Sequence, residues 1–126
     1  MPTSPNRTAT HSVLIVDDDR NLALFLSTVL TLDGHDVVTV TDGQSGLDLL
    51  AQREVDIIVL DLRMPRMDGR TFFRELRSRG DKTPVLIASA FGAHEAQREL
   101  GAEGAVEKPF TPESLGRAIK EVLDGD

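Results

Sequence analysis

Three runs of four apolar residues, Val13-Leu14-Ile15-Val16, Ile57-Ile58-Val59-Leu60 and Val85-Leu86-Ile87-Ala88, each stop at a polar residue: Asp17, Asp61 and Ser89. A short apolar run rich in Val and Ile, without alternation, reads as a strand buried on both faces, the kind that parallel sheets use. Helical spacing fills the intervals. Leu22, Phe25, Leu26, Val29 and Leu30 follow the i, i+3, i+4, i+7, i+8 series of a helix with those residues inward, and Asp33-Gly34 stops it. Val37 to Val40 gives another strand, and Thr41-Asp42 starts a helix that sends Leu47, Leu50 and Ala51 inward. Gly43 and Gly46 weaken that helix by up to about 1 kcal/mol each relative to Ala. Asp68-Gly69 starts a helix marked by Phe72, Phe73 and Leu76 and ended by Gly80, and Ala93 to Leu100 forms a short Ala-rich one. Gly104-Ala105-Val106 is the weakest strand; Thr111-Pro112 then opens a helix with Leu115, Ala118, Ile119 and Val122 inward. Five strands alternating with five helices predict a doubly wound α/β sandwich: a parallel sheet covered on both faces by right-handed crossovers.

Composition narrows the function. A chain of 126 residues is one domain by length, and its net charge of -7 argues against a nucleic-acid surface. The absence of cysteine excludes disulfides and Cys-zinc sites and permits a reducing cytosol, so a cytoplasmic protein is expected. No apolar run approaches the roughly 18 residues of a membrane span. Residues 1–10, polar and with two prolines, read as a disordered lead-in to a domain over 11–126. His11, His35 and His94 are scattered and read as surface residues.

Side by side, the strands would bring Asp17, Asp18, Asp61, Ser89 and Lys108 to one rim, where open parallel sheets place their chemistry. Singly, each has an ordinary reading: a turn cap, a charged loop, a strand-end hydroxyl, a solvated lysine. Jointly they are improbable, because each polar group ends its own apolar strand. Three carboxylates on one rim repel unless a cation is present. An all-oxygen site favours a hard ion, Mg²⁺ first and Ca²⁺ second, and Mg²⁺ brings a phosphoryl group as its natural co-ligand. Lys108 and Ser89 offer a charge and a hydrogen bond to phosphate oxygens, and Asp61 is the best placed carboxylate nucleophile.

The motifs VLIVDDD, DIIVLDLRMPRMDG, PVLIASA and VEKPF stand in an order and spacing that resembles a response-regulator receiver domain, from about Ser12 to Leu123. The resemblance implies a flavodoxin-like sheet of order 2-1-3-4-5 and phosphorylation of Asp61 by a histidine kinase or phosphotransfer protein. It implies Mg²⁺ bound directly by Asp18, through water by Asp17, and by Asp61 and the Arg63 backbone carbonyl. It makes Ser89 the switch hydroxyl and Lys108 the phosphate contact, in a switch that turns over no separate substrate. Asp19 matches no family site and is assigned to a helix cap.

Departures carry expectations too. Ala105 stands where the family usually has an aromatic switch residue, so readout is expected through the loop after Ser89 and Phe91. The Ser89–Lys108 interval is about three residues short, predicting a short fourth helix. Glu103-Gly104 replaces an acidic pair, which argues against dimerisation through the fourth and fifth helices. Arg63 and Phe91 stand where the family's side chains flank the route of water to the phosphoryl group. Seven of the 14 Lys+Arg fall between Arg63 and Lys82 and read as a solvated face. The competing readings are a receiver cut from a longer regulator or hybrid kinase, a haloacid-dehalogenase-like Mg²⁺ phosphatase and a degenerate receiver that binds partners without phosphorylation.

Overall fold

The computed structural model describes residues 10–125, so nearly all of the expected lead-in lies outside the described residues. Ten elements alternate: β1 (Ser12–Val16), α1 (Arg20–Leu32), β2 (Asp36–Val40), α2 (Gly43–Leu50), β3 (Ile57–Leu60), α3 (Gly69–Ser78), β4 (Val85–Ser89), α4 (Ala93–Leu100), β5 (Gly104–Glu107) and α5 (Pro112–Asp124). The five strands form one sheet in the order β2-β1-β3-β4-β5. Every pairing is parallel, with Val16 opposite Leu60 and Leu60 opposite Ile87.

Because successive strand residues point to opposite faces, the apolar runs divide between two cores. Leu14, Val16, Ile58, Leu60 and Ile87 pack with Leu47, Phe72 and Leu76 on one face. Val13, Ile15, Ile57, Val59 and Leu86 pack with Leu26, Leu30, Leu115 and Ile119 on the other. This is why the runs show no alternation. Both faces of the sheet are covered, so neither strand face needs polar residues.

Four helices are capped as their sequences suggest. Asp19, Asp42, Asp68 and Thr111 each accept a hydrogen bond from a backbone N–H of the first turn. The fourth helix is short, at eight residues. Gly46 has a use beyond its helix: a Cβ there would lie 3.0 Å from Phe72 Cε1, so its absence lets α2 close on α3.

Two inward assignments are corrected. Phe25 is 47% exposed, and the buried stripe of α1 is Ala23, Leu26 and Leu30. Spacing counted Phe25 because it follows Leu22 by three, but the small Ala23 lies on the arc facing the sheet. Ala51 is exposed because α2 ends at Leu50 and Ala51 is its C-cap. His11 and His35 also differ from isolated surface residues: their rings lie 5.9 Å apart, and the His11 N–H donates to His35 Nδ1 at 3.3 Å.

Candidate functional site

The sheet ladder continues one residue past the strands and thereby sets the site. The Asp17 N–H donates to Val40 O at 3.1 Å, the Asp61 N–H to Val16 O at 2.9 Å and the Lys108 N–H to Ser89 O at 2.9 Å. Asp17 and Asp61 are 3% and 6% exposed, whereas Asp18 faces solvent. Each of the three offers a carboxylate oxygen, and these oxygens lie within 4.8 Å of one another. Lys108 closes the cluster, with Nζ 2.8 Å from Asp17 Oδ2 and 3.4 Å from Asp61 Oδ1. The other Asp17 oxygen, Oδ1, accepts from the Asp19 N–H at 2.9 Å, which orients the carboxylate.

Electrostatics follow from this crowding. Burial first, and then the Asp17 charge, push the Asp61 carboxyl above the ordinary carboxylate value; Lys108 and the Arg63 backbone N–H offset this only in part. Burial by itself would lower Lys108, but the hydrogen bond and charge of Asp17, then those of Asp61, outweigh it and hold its pKa above the usual lysine value. The site therefore sets the Lys108 ammonium against an Asp61 carboxylate that is costly to keep ionised. Ser89 is fully buried, and its Oγ has no hydrogen-bond partner among the described residues. A buried hydroxyl without a partner is uncommon and points to a ligand that completes it. Oxygen donors alone, with no imidazole or thiol in the cluster, fit a hard divalent cation.

The loop between β3 and α3 is folded against the end of β3. The Gly69 N–H donates to Leu62 O at 2.9 Å, and a Cβ at Gly69 would lie 2.4 Å from Asp61 O and 2.7 Å from Leu62 Cα. Only glycine allows the start of α3 to approach that backbone so closely. Of the sequence-derived residues, Asp17, Asp18, Asp61 and Lys108 thus converge, and Ser89 adjoins them through the Lys108 N–H. Arg63 sits two residues past Asp61, with its side chain outside and its guanidinium over the Phe91 ring.

Sequence reasoning missed three contacts in which no single residue type announces its partner. One is Arg63 with Phe91. The second joins α3 to the turn before β5: Arg77 Nη2 lies 3.0 Å from Glu103 Oε1, which also accepts from the Val85 N–H at 2.8 Å. Arg77 further stacks on Phe73 and donates to the Asp81 and Thr83 carbonyls. The third is the Arg70–Glu99 ion pair between α3 and α4. The cations between Arg63 and Lys82 are therefore no uniform solvated face, because Arg70, Arg77 and Arg79 are ion-paired. Asp19 is engaged as the α1 cap, accepting from the Leu22 N–H at 3.1 Å.

Comparisons with known proteins agree with this geometry. The chain is 40% identical over 115 residues to a probable transcriptional regulator, ycf27, of Guillardia theta, covering 88% of this chain and 44% of that protein. It is 38% identical over 114 residues to response regulator MprA of Mycolicibacterium vanbaalenii, covering 88% of this chain and 49% of that protein. The chain thus spans about half the length of the curated relatives it matches. Among solved structures, chemotaxis response regulator CheY4 of Vibrio cholerae superimposes with a TM-score of 0.83 at 32% identity, over 91% of this chain and 100% of that one. The receiver domain of Francisella response regulator 1452 gives 0.82 at 30% identity, over 92% and 99%. The family model for the response regulator receiver domain matches residues 13–120. With its flavodoxin-like sheet and its acidic rim, the chain belongs to the response regulator receiver domains of two-component systems.

Proposed function

We propose that Asp61 accepts a phosphoryl group from a phosphohistidine of a histidine kinase or phosphotransfer protein, in a Mg²⁺-dependent reaction, and later loses it to water. The observation that carries this reading is the convergence of three carboxylates and the Lys108 ammonium at one rim. In the forward step a carboxylate oxygen of Asp61 attacks phosphorus, and the N–P bond breaks with its electron pair remaining on the donor imidazole. In the return step water attacks phosphorus, the P–O bond to Asp61 breaks with its electron pair remaining on the restored carboxylate, and inorganic phosphate leaves as a proton of the attacking water passes to solvent.

The protein's own groups do most of this by position. Lys108 Nζ moves from the carboxylates to an oxygen of the phosphoryl group, and Ser89 Oγ gains there the hydrogen-bond partner it otherwise lacks. The carboxylates of Asp17, Asp18 and Asp61 and the backbone carbonyl of Arg63 are the groups that would hold Mg²⁺. When bound, the ion supplies positive charge that lets Asp61 and the phosphoryl oxygens approach. Residues 11–126 act as one receiver domain, in the cytoplasm, with no separate substrate turned over. No described helix is long and apolar enough to cross a membrane. The downstream target is a protein.

The test is incubation with a small phosphodonor and Mg²⁺, read as intact mass. Wild type gains one phosphoryl group, and Asp61→Asn gains none. Equal labelling of both would overturn the reading.

A further inference from the structure

Phe91 is the large apolar side chain that the site leaves outside. It is 72% exposed, two residues past Ser89, with the Arg63 Cζ 5.7 Å from its ring centroid. Arg63 is also tied to the acid cluster through the chain, standing two residues past Asp61 at the end of β3. The pair therefore bridges the β3–α3 and β4–α4 loops. The helix that follows Phe91 is packed at its start by small residues, with Leu100 against the core at its far end. Its N-cap is Gly92 at φ +72, with no side-chain cap, and its buried residues are only Ala93 and Ala96. Ala105 of β5 packs against the same core as those two alanines and adds no more than a methyl group.

An exposed guanidinium over a ring is held weakly. Beside a phosphoryl group carrying close to two negative charges, the same guanidinium forms charge-assisted, paired hydrogen bonds. We propose that Arg63 is a charge-operated latch: it keeps the Phe91 ring outside while Asp61 is unmodified, and turns to the phosphoryl oxygens once Asp61 is phosphorylated, freeing Phe91 and the start of α4 to move. This inference rests on the phosphoacceptor reading above. It assigns the signal to a side chain two residues from the modified acid and to an aromatic ring outside β5.

The chain contains no Trp and no Tyr, so a Phe91→Trp variant carries a single emitter at the latch. Adding Mg²⁺ and beryllofluoride is expected to change its emission. In the same background Arg63→Gln, which keeps the backbone groups, loses that change, and Arg63→Lys, which keeps the charge, retains part of it. Fluorine NMR reports in each variant whether beryllofluoride occupies the site. An unchanged response in Arg63→Gln, or no response with the site occupied, overturns the latch alone. Failure of beryllofluoride to bind, together with no phosphorylation of Asp61, overturns the phosphoacceptor reading and the latch with it.

Discussion

Helices α5 and α4 lie on opposite faces of the sheet and are held in different ways. α5 runs for 13 residues, begins with a reciprocal capping box between Thr111 and Ser114, and buries Leu115 and Ile119. α4 runs for eight, has no side-chain cap and buries two alanines; Leu100 packs partly against the core at its end, and Arg70–Glu99 adds a polar contact with α3. A buried leucine contributes several times the apolar area of an alanine, so α5 buries more apolar surface in its middle than α4, whose one large apolar contact is Leu100 at its end. Lys108 leads into α5 and Ser89 into α4. The backbone of Lys108 is thereby set by the helix with the larger core, while the segment beyond Ser89 starts a helix whose first turn packs through alanines.

Comparing truncations in the two helices sharpens the contrast most. Leu115→Ala is expected to lower stability by about 3 kcal/mol through the cavity it leaves. Ala96→Gly costs about 1 kcal/mol, mostly helix propensity. Urea unfolding of both variants measures the difference, and equal losses would mean that α4 is anchored as firmly as α5.

Next in size is Gly69→Ala, which drives a Cβ into the backbone of Asp61 and Leu62. A loss of about 1–3 kcal/mol is expected, as for other overpacked sites, together with slower phosphorylation because the acceptor strand shifts. Stability and labelling rates unchanged from wild type would show that the start of α3 has slack.

The smallest effect concerns pH. A carboxyl whose folded pKa is raised binds more protons in the native state than in the unfolded chain, so its contribution falls as pH rises through the folded value. Asp61 is such a group. In metal-free buffer Asp61→Asn is therefore expected to be more stable than wild type at pH 7. The gap closes as pH falls toward the ordinary carboxyl value of 3.8, where both chains carry a neutral group. A gap that is constant with pH would remove burial and the Asp17 charge as the cause.

Much of the site was legible because its parts are local signals. Asp17, Asp61 and Ser89 each end an apolar run, and a buried parallel strand has nowhere to put a polar side chain except at its end. The caps Asp19, Asp42, Asp68 and Thr111 were legible for a similar reason, since a helix start needs an oxygen three residues before a free N–H. Phe25 was misplaced because periodicity counts large residues, whereas the face of α1 that meets the sheet is centred on a small one. Glu103 could be read as half of an acidic pair, but not as the acceptor for Val85 and Arg77, which depends on where three separate segments end.

The order of residues along the chain determined which groups stand at strand ends, where helices begin and that the fourth helix is short, because hydrogen-bond periodicity and capping act over a few neighbours. Tertiary structure alone decided that Lys108 meets Asp17 across 91 positions, that burial raises the proton affinity of Asp61, and that Phe91 lies outside under Arg63. Distances and dielectric surroundings are properties of the packed sheet, and no local pattern encodes them.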